Sequence, residues 1–152
     1  MNALRIRPAD PRDAAACAEI RIGWQVAQSW IPALRSPDEI RAHYRDKVFK
    51  TRQIWVAGKP VTGFIALAPS ETPGGATEIA SLYVSIPGKG LGKALMDVAK
   101  DHAETLELWT FEDNTRARRF YCREGFREIL FETGGSEEGL PEVQLRWERG
   151  WV

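Results

Sequence analysis

The sequence predicts one mixed α/β domain over residues 1–152, with its elements in the order β-α-α-β-β-β-α-β-α-β-β. A length of 152 residues suits a single domain with its own hydrophobic core. Hydrophobic residues make up 43% of the chain and charged residues 28%, which is the balance of a globular protein. Segments with strand and helix patterns alternate along the chain, and turns rich in Pro and Gly separate them.

A strand and a long helix come first. Leu4–Arg7 alternates apolar and basic residues, which is the pattern of a half-buried strand. Asp10 is a suitable N-cap and Pro11 a suitable first helical residue, so a helix is predicted from here roughly to Trp30. Pro32 prevents its continuation, because proline lacks the N–H that an interior helical position donates.

A second helix and a β-hairpin follow. Ser36-Pro37-Asp38-Glu39 has the pattern of a capping box, which predicts a helix over about residues 37 to 49. Two segments rich in β-branched and aromatic residues flank Gly58-Lys59-Pro60. They predict hairpin strands at Gln53–Ala57 and Val61–Ala68.

The second half of the chain alternates strands with helices. Glu78–Val84 is apolar on both faces apart from Glu78 and Ser81, which predicts a strand in the middle of the sheet. The helix after the next turn is predicted to have one apolar side, comprising Leu91, Leu95, Val98 and His102. The remaining elements are a strand at Leu106–Thr110, a helix from Asn114 to Glu124, and strands at Phe126–Glu132 and Glu142–Trp147.

Composition argues against several classes of protein. Basic and acidic residues both number 21, so no overall charge directs the chain to nucleic acid or to an anionic membrane. No apolar run is long enough to span a bilayer, and the N-terminus lacks the apolar core of a signal peptide. We therefore expect a cytoplasmic protein.

The cysteines and histidines do not indicate a metal site. Cys17 and Cys122 are far apart and favour small buried apolar side chains over a disulfide, with a thiol nucleophile as the minor alternative. His43 and His102 have no metal-ligand spacing with each other or with the cysteines.

A glycine-rich turn joins the central strand to the next helix. Gly88, Gly90 and Gly92 would let a phosphate approach the N–H groups that are free at the start of a helix. Lys89 and Lys93 add positive charge there. Taken alone, the pattern fits a plain turn equally well. It lacks the Lys-Ser/Thr ending of a Walker loop, and it does not follow the first strand as a Rossmann turn does.

The chain resembles the GNAT acyltransferase family over nearly its whole length. The family's second cofactor motif is Asn, two residues, Ala, two residues, an apolar residue, Tyr, three residues and Gly-Phe, and every one of these positions is filled in Asn114–Phe126. Leu82-Tyr83-Val84 and Gly88–Leu95 look like the family's first motif. One departure is Pro87, which lies where the family usually has Gln or Arg. The link between Val84 and the glycines also looks shorter than in the family.

This resemblance implies a central, mostly antiparallel mixed sheet flanked by helices, and acetyl-CoA as cosubstrate. The implied cofactor-binding residues are Leu82, Tyr83, Val84, Gly88, Lys89, Gly90, Leu91, Gly92, Lys93, Ala94, Asn114, Ala117, Phe120 and Tyr121. Backbone groups of Leu82 and Val84 would bind pantetheine like an added strand. Asn114 would bind the pantetheine arm, cap its helix, or do both.

The resemblance also implies an acyl-CoA N-acyltransferase with two catalytic residues. Tyr121 occupies the position of the family's general acid, and the alternative is a core tyrosine. Glu78 lies where some members carry a catalytic glutamate, and the alternative is a solvated charge at the end of a strand. Glu112 and Asp113 are lesser candidates for the base.

The acceptor is expected to be a primary amine of a small molecule or a peptide N-terminus. Trp24 and Trp30 are candidates for its binding site or, alternatively, core residues. Trp147 and Trp151 are candidates for a homodimer interface. Two rival functions stay open: a CoA-binding regulatory module without catalysis, for which Pro87 argues, and an acetyltransferase acting on charged tRNA, against which the zero net charge argues.

Overall fold

The computed structural model describes residues 5–32, 34–70, 74–134 and 136–151. Its strands are β1 (Ile6–Pro8), β2 (Gln53–Ala57), β3 (Gly63–Ala68), β4 (Thr77–Val84), β5 (Thr105–Phe111), β6 (Arg127–Glu132) and β7 (Glu142–Glu148). The helices are α1 (Ala14–Ala27), α2 (Pro37–His43), α3 (Phe49–Thr51), α4 (Leu91–Asp101) and α5 (Thr115–Arg123). The predicted order of elements is confirmed.

One seven-stranded sheet runs through the domain in the order β1-β2-β3-β4-β5-β7-β6. Only β4 and β5 pair in parallel; the other neighbouring strands pair antiparallel, as predicted. β4 occupies the centre of the sheet, which confirms the interpretation of its apolar sequence.

Hydrophobic clusters cover both faces of the sheet. The smaller cluster lies under α1 and α2, where Cys17 and Tyr44 contact Phe64 of β3 and its neighbours. The larger cluster lies under α4 and α5 and includes Leu95 and Leu145, both fully buried. Because successive residues of a strand point to opposite faces, neighbouring residues of β3 and β4 contribute to different clusters.

Several predicted boundaries shift for identifiable reasons. The first helix ends at Ala27 rather than near Trp30, because Gln28 N donates to Gln25 O and tightens the last turn. The third strand begins at Gly63, since Thr62 N bonds Ala57 O and closes the hairpin. The second helix continues past His43 through a π-helical turn at Tyr44–Val48 into α3. Leu4 lies outside the described residues.

Three expectations about side-chain burial are wrong. Cys122 is exposed on α5, whereas Cys17 is buried, and burial raises the pKa of the Cys17 thiol to about 12, which argues against a nucleophile. His102 follows the end of α4 and is exposed; Met96 and Ala99 complete the buried side of that helix. Trp147 is only 8% exposed and packs in the larger cluster, so it is not available to a homodimer interface.

Asp13 ties the first strand to the first helix. Its carboxylate accepts hydrogen bonds from Arg7 Nη1 and Nη2 at 2.8 and 2.9 Å, and from the backbone N–H of Asp10 at 2.8 Å. These bonds to Arg7 lower the pKa of Asp13. Within the described ranges, no helix is long and apolar enough to cross a membrane.

We predict that Asp13→Ala lowers the free energy of unfolding by about 1–2 kcal/mol, because it removes the carboxylate that binds Arg7 and accepts the N–H of the N-cap residue Asp10. Because the folded-state pKa of Asp13 lies below its usual 3.8, its stabilisation is present at neutral pH and is lost as the pH falls below that value. Urea unfolding of the unmodified protein and of Asp13→Ala should therefore give free energies of unfolding whose difference narrows from about pH 5 towards about pH 2. Asp46→Ala, which removes an exposed ion pair with Arg45, is the control and should have little effect.

Candidate active site

A gap opens in the middle of the sheet between β4 and β5. The two strands pair only at Thr77↔Leu106 and Glu78↔Glu107. From Ile79 to Val84 the edge of β4 that faces β5 has no strand partner among the described residues, although β3 pairs the other edge down to Val84. The gap therefore widens towards the carboxyl ends of two parallel strands, which is where open α/β sheets bind ligands.

A β-bulge accounts for the separation of the strands. Ser81 of β4 pairs with Ala66 and Ile79 with Leu67, so Ala80 is an extra residue with no partner on β3. A bulge bends its strand and increases the local twist. It lies two residues beyond Glu78, the last residue of β4 that pairs with β5. Bending at Ala80 thus carries the second half of β4 away from β5.

The glycine-rich turn lies at the mouth of the gap. Gly90 is the N-cap of α4, with φ at 80°, and no side chain caps the helix there. Gly88 has φ at 82°, and a Cβ added at either glycine would meet nothing within 4 Å. The space in front of the first amides of α4 is therefore open, and it favours an anion because of both the free N–H groups and the helix dipole.

Leu91 and Gly92 fix the position of α4. The side chain of Leu91 is buried against β3, where a Cβ on Gly63 would come within 2.7 Å of Leu91 Cδ2. A Cβ on Gly92 would lie 3.5 Å from the ring of Phe120, at ordinary van der Waals distance, so α4 and α5 are neighbours at this point. At Leu91 only the backbone can face a cofactor, since its side chain belongs to the core.

The two lysines of the turn differ in their surroundings. Lys93 Nζ lies 3.6 Å from Asp97 and 3.5 Å from Glu124, so two carboxylates already balance its charge. Lys89 is exposed, and no described carboxylate lies within ion-pair distance of it. Lys89 is therefore the better placed of the two for an incoming phosphate. Ala94, on the first turn of α4, is half-buried.

Tyr121 is on α5, where it packs, partly buried, against the larger cluster. Asn114 Oδ1 accepts a hydrogen bond from Ala117 N at 3.2 Å and so caps this helix. The ring of Tyr121 packs against Phe120 and Phe126, with centroids 5.4 and 5.8 Å away. Burial, together with the nearby phenol of Tyr83, raises the pKa of Tyr121. The phenol is thus protonated at neutral pH and able to donate a proton.

The side chains of β4 separate the two faces of the gap. Leu82 and Val84 pack against the larger cluster under α4 and α5. Tyr83 points to the opposite face, where its ring lies 5.3 Å from Trp24 and 5.8 Å from Phe64. The side chain of Tyr83 therefore lies away from the glycine turn, on the face that holds α1 and α2.

A cleft of about 210 Å³ opens on that face. Its walls come from α1, α2, the segment between them, β4 and the β6–β7 loop. The charged and aromatic residues that line it are Arg21, Arg35, His43, Tyr44, Tyr83, Glu137 and Glu138. Sequence reasoning missed Arg21, Arg35, Glu137 and Glu138, because isolated charges on helices and loops usually mark a solvated surface.

Trp24 and Trp30 support the cleft without lining it. Trp24 packs on Tyr83 from α1, and Trp30 packs edge-on against Phe111 with ring centroids 5.6 Å apart. Both rings are half-buried. Their positions fit the packing interpretation of these tryptophans.

Glu78 is exposed at the point where the gap begins. It lines a second cleft, of about 550 Å³, together with Arg52, Trp109 and others. Of the lesser candidates, Glu112 is half-buried and its carbonyl accepts a hydrogen bond from Arg118, whereas Asp113 is exposed. Of these three residues, Glu78 lines a cleft, whereas Glu112 and Asp113 line neither of the two clefts.

The gap and the glycine turn together form a candidate site for an elongated ligand with a phosphate-containing end. A model of the "Acetyltransferase (GNAT) family" matches residues 19–126. The chain therefore belongs to the GNAT acetyltransferase family. The search of curated proteins found no significant match.

Solved structures share the fold at low sequence identity. The PaiA N-acetyltransferase from Thermoplasma acidophilum, in complex with coenzyme A, superposes with a TM-score of 0.73 at 19% identity, over 95% of this chain and 98% of its own. The ribosomal-protein-alanine N-acetyltransferase from Brucella melitensis superposes with a TM-score of 0.70 at 17% identity, over 95% of this chain and 99% of its own. Ard1 from Thermoplasma volcanium superposes with a TM-score of 0.69 at 19% identity, over 94% of this chain and 95% of its own.

We predict that Gly90→Ala weakens CoA binding by about tenfold or more, because a Cβ would stand before the first amides of α4 and φ would be strained. Gly74→Ala is a matched control, since Gly74 also has positive φ, at 73°, and an open Cβ position. Both variants should lose about 1–2 kcal/mol of stability. Calorimetric titration with CoA should separate them; equal affinities would contradict the assignment of the phosphate site.

Proposed function

We propose that the chain is a cytoplasmic enzyme that transfers the acetyl group of acetyl-CoA directly to a primary amine of a small molecule or a peptide N-terminus. The observation that carries this proposal is the gap between β4 and β5. Leu82 and Val84 on its edge pack, as Tyr121 does, against the larger cluster, and the charged cleft lies on the other face of the sheet. A thioester lying in the gap would thus have a phosphate site at one end and an acceptor cleft across the sheet.

The cofactor would be held mainly by backbone groups. The pyrophosphate would accept hydrogen bonds from the first amides of α4, with Lys89 nearby. The pantetheine arm would lie along the unpaired edge of β4 at Leu82 and Val84 and bond it as an added strand would. Asn114 already caps α5 through its side-chain oxygen, so its amide group remains for the arm.

Tyr121 would act as the general acid. The amine nitrogen attacks the thioester carbon, the C–S bond breaks, and the departing thiolate takes the phenolic proton of Tyr121, which solvent later replaces. The phenol is protonated at neutral pH, as a general acid must be, but burial raises its pKa and so makes it a weaker proton donor. The transfer therefore depends on the thiolate being desolvated in the same site, which makes the thiolate more basic as well. Positioning of amine and thioester would supply much of the rate enhancement, up to about 7–11 kcal/mol.

Glu78 is our candidate for accepting the surplus proton of the amine. It lies where β4 and β5 separate, and its carboxylate is exposed. A carboxylate at this point would act through an intervening water, since the attacking nitrogen must lie farther along the gap.

The two rival functions receive less support. Pro87 is exposed and precedes α4, so its missing N–H leaves the helix's own amides intact and does not favour a module without catalysis. On the basic helix α5, Arg118 is bound to Glu128, whereas Arg116, Arg119 and Arg123 form no ion pair with any described residue. The argument against a tRNA-directed function therefore rests on the zero net charge. Homodimer formation stays a prediction.

We predict that Tyr121→Phe lowers kcat by about a hundredfold or more, the usual effect of losing a general acid. The KM for acetyl-CoA should change by less than about threefold, because the phenyl ring keeps the packing with Phe120 and Phe126. Steady-state assays of thiol release measure both constants. Unchanged turnover in the variant would remove the role of Tyr121.

We predict that Glu78→Gln abolishes the acidic limb of the pH–rate profile, because the amide cannot accept the amine's proton. Glu104→Gln, which removes an exposed ion pair with Arg149, serves as a control and should keep the profile of the unmodified enzyme. If the acidic limb survives in Glu78→Gln, another group accepts the proton.

A further inference from the structure

The cleft contains a cation that the protein leaves unpaired. Arg21 projects from α1, and its Nη1 donates to Gln25 Oε1 at 3.2 Å. Its guanidinium lies over the rings of Trp24 and Tyr83, 5.1 and 5.6 Å from their centroids. No carboxylate in the described part of the chain lies within 4.0 Å of it. A half-buried guanidinium held by two rings is already oriented for an anion.

The opposite wall of the cleft contains an unpaired carboxylate. Glu138 is half-buried on the β6–β7 loop and lines the same cleft as Arg21 and Tyr83. None of the described residues forms a hydrogen bond or an ion pair with the Glu138 side chain. Burial raises the pKa of Tyr83; Arg21 opposes this shift and Glu138 adds to it, as expected for charges that share the cleft.

The other charged groups of the cleft are already satisfied. Arg35 binds Glu137 at 2.8 Å and joins the α1–α2 segment to the β6–β7 loop. Burial and neighbouring basic groups lower the pKa of His43, so the imidazole is neutral at pH 7. Arg21 and Glu138 are therefore the two charges available to a ligand.

We propose that the acceptor is a small amino acid or related aminocarboxylate, with its carboxylate on Arg21 and its ammonium beside Glu138. This inference rests on the acetyl transfer proposed above and names the acceptor class. A volume of about 210 Å³ suits a small molecule. A ligand with both charges would balance the two unpaired groups, whereas a plain amine would leave Arg21 without a partner in a partly desolvated site. A peptide N-terminus has no carboxylate beside its amine, so it would also leave Arg21 without a partner.

The test uses matched acceptors: each of the amino acids, its amide, and its decarboxylated amine, assayed by thiol release from acetyl-CoA. The unmodified enzyme should use at least one acid with kcat/KM about tenfold or more above its amide and amine. Arg21→Gln should abolish that preference while changing turnover of the amide by less than about threefold. Arg21→Lys should keep part of the preference for acids over amides, because the positive charge remains.

Two controls separate binding from folding. Arg45→Gln removes an exposed arginine paired with Asp46, outside the cleft, and should keep the acid preference. Thermal unfolding identifies any variant that fails to fold. Glu138→Gln should raise the KM of acids and amides alike, since both present an ammonium group.

The outcomes distinguish this inference from the proposed function. Turnover of amides or decarboxylated amines as fast as the acids would overturn the acceptor class and leave acetyl transfer in place. If Arg21→Gln lowers kcat/KM equally for acids and amides, Arg21 has only a structural role, and the proposed acceptor class is overturned as well. If CoA binds but no amine releases thiol, the proposed function fails. Calorimetric titration of CoA-loaded protein with the amino acids then decides: binding that Arg21→Gln removes would support the site, and no binding would overturn it.

Discussion

The separation of β4 from β5 is the constraint on which the rest of the site depends. Two strands that pair over only two residues must satisfy the remaining backbone groups elsewhere. The bulge at Ala80 sets where the separation begins, and the antiparallel ladder with β3 keeps the bent half of β4 in the sheet. The start of α4, the ring of Tyr121 and the charged cleft are all arranged around this opening.

The sheet also divides the chemistry between its two faces. Leu82 and Val84 belong to the face of α4 and α5, where Tyr121 lies. Tyr83 belongs to the face of α1 and α2, where the cleft lies. Strand alternation alone produces this division. A reaction between a carrier on one face and an acceptor on the other can occur only through the gap.

The sequence predicted most of the fold, whereas the site residues that it indicated stay a prediction. Turn residues and caps with a fixed chemistry, such as Ser36 and Asn114, predicted where helices begin, and both side chains cap their helices as expected. The bulge at Ala80 left no signal, because an extra residue in an apolar strand looks like any other. The cleft charges were missed because Arg21 and Glu138 lie 117 positions apart and meet only through the fold.

The unpaired half of β4 makes it an edge strand in the interior of a sheet. Exposed edges invite pairing with other chains, and proteins commonly protect them with proline and lysine. Here the strand is followed closely by Pro87 and Lys89, which cannot extend a ladder easily. Pro87, three residues beyond the end of β4 at Val84, has no N–H with which to extend the ladder. A ligand that completes the ladder would stabilise the fold by mass action, so cofactor supply and resistance to aggregation would be linked.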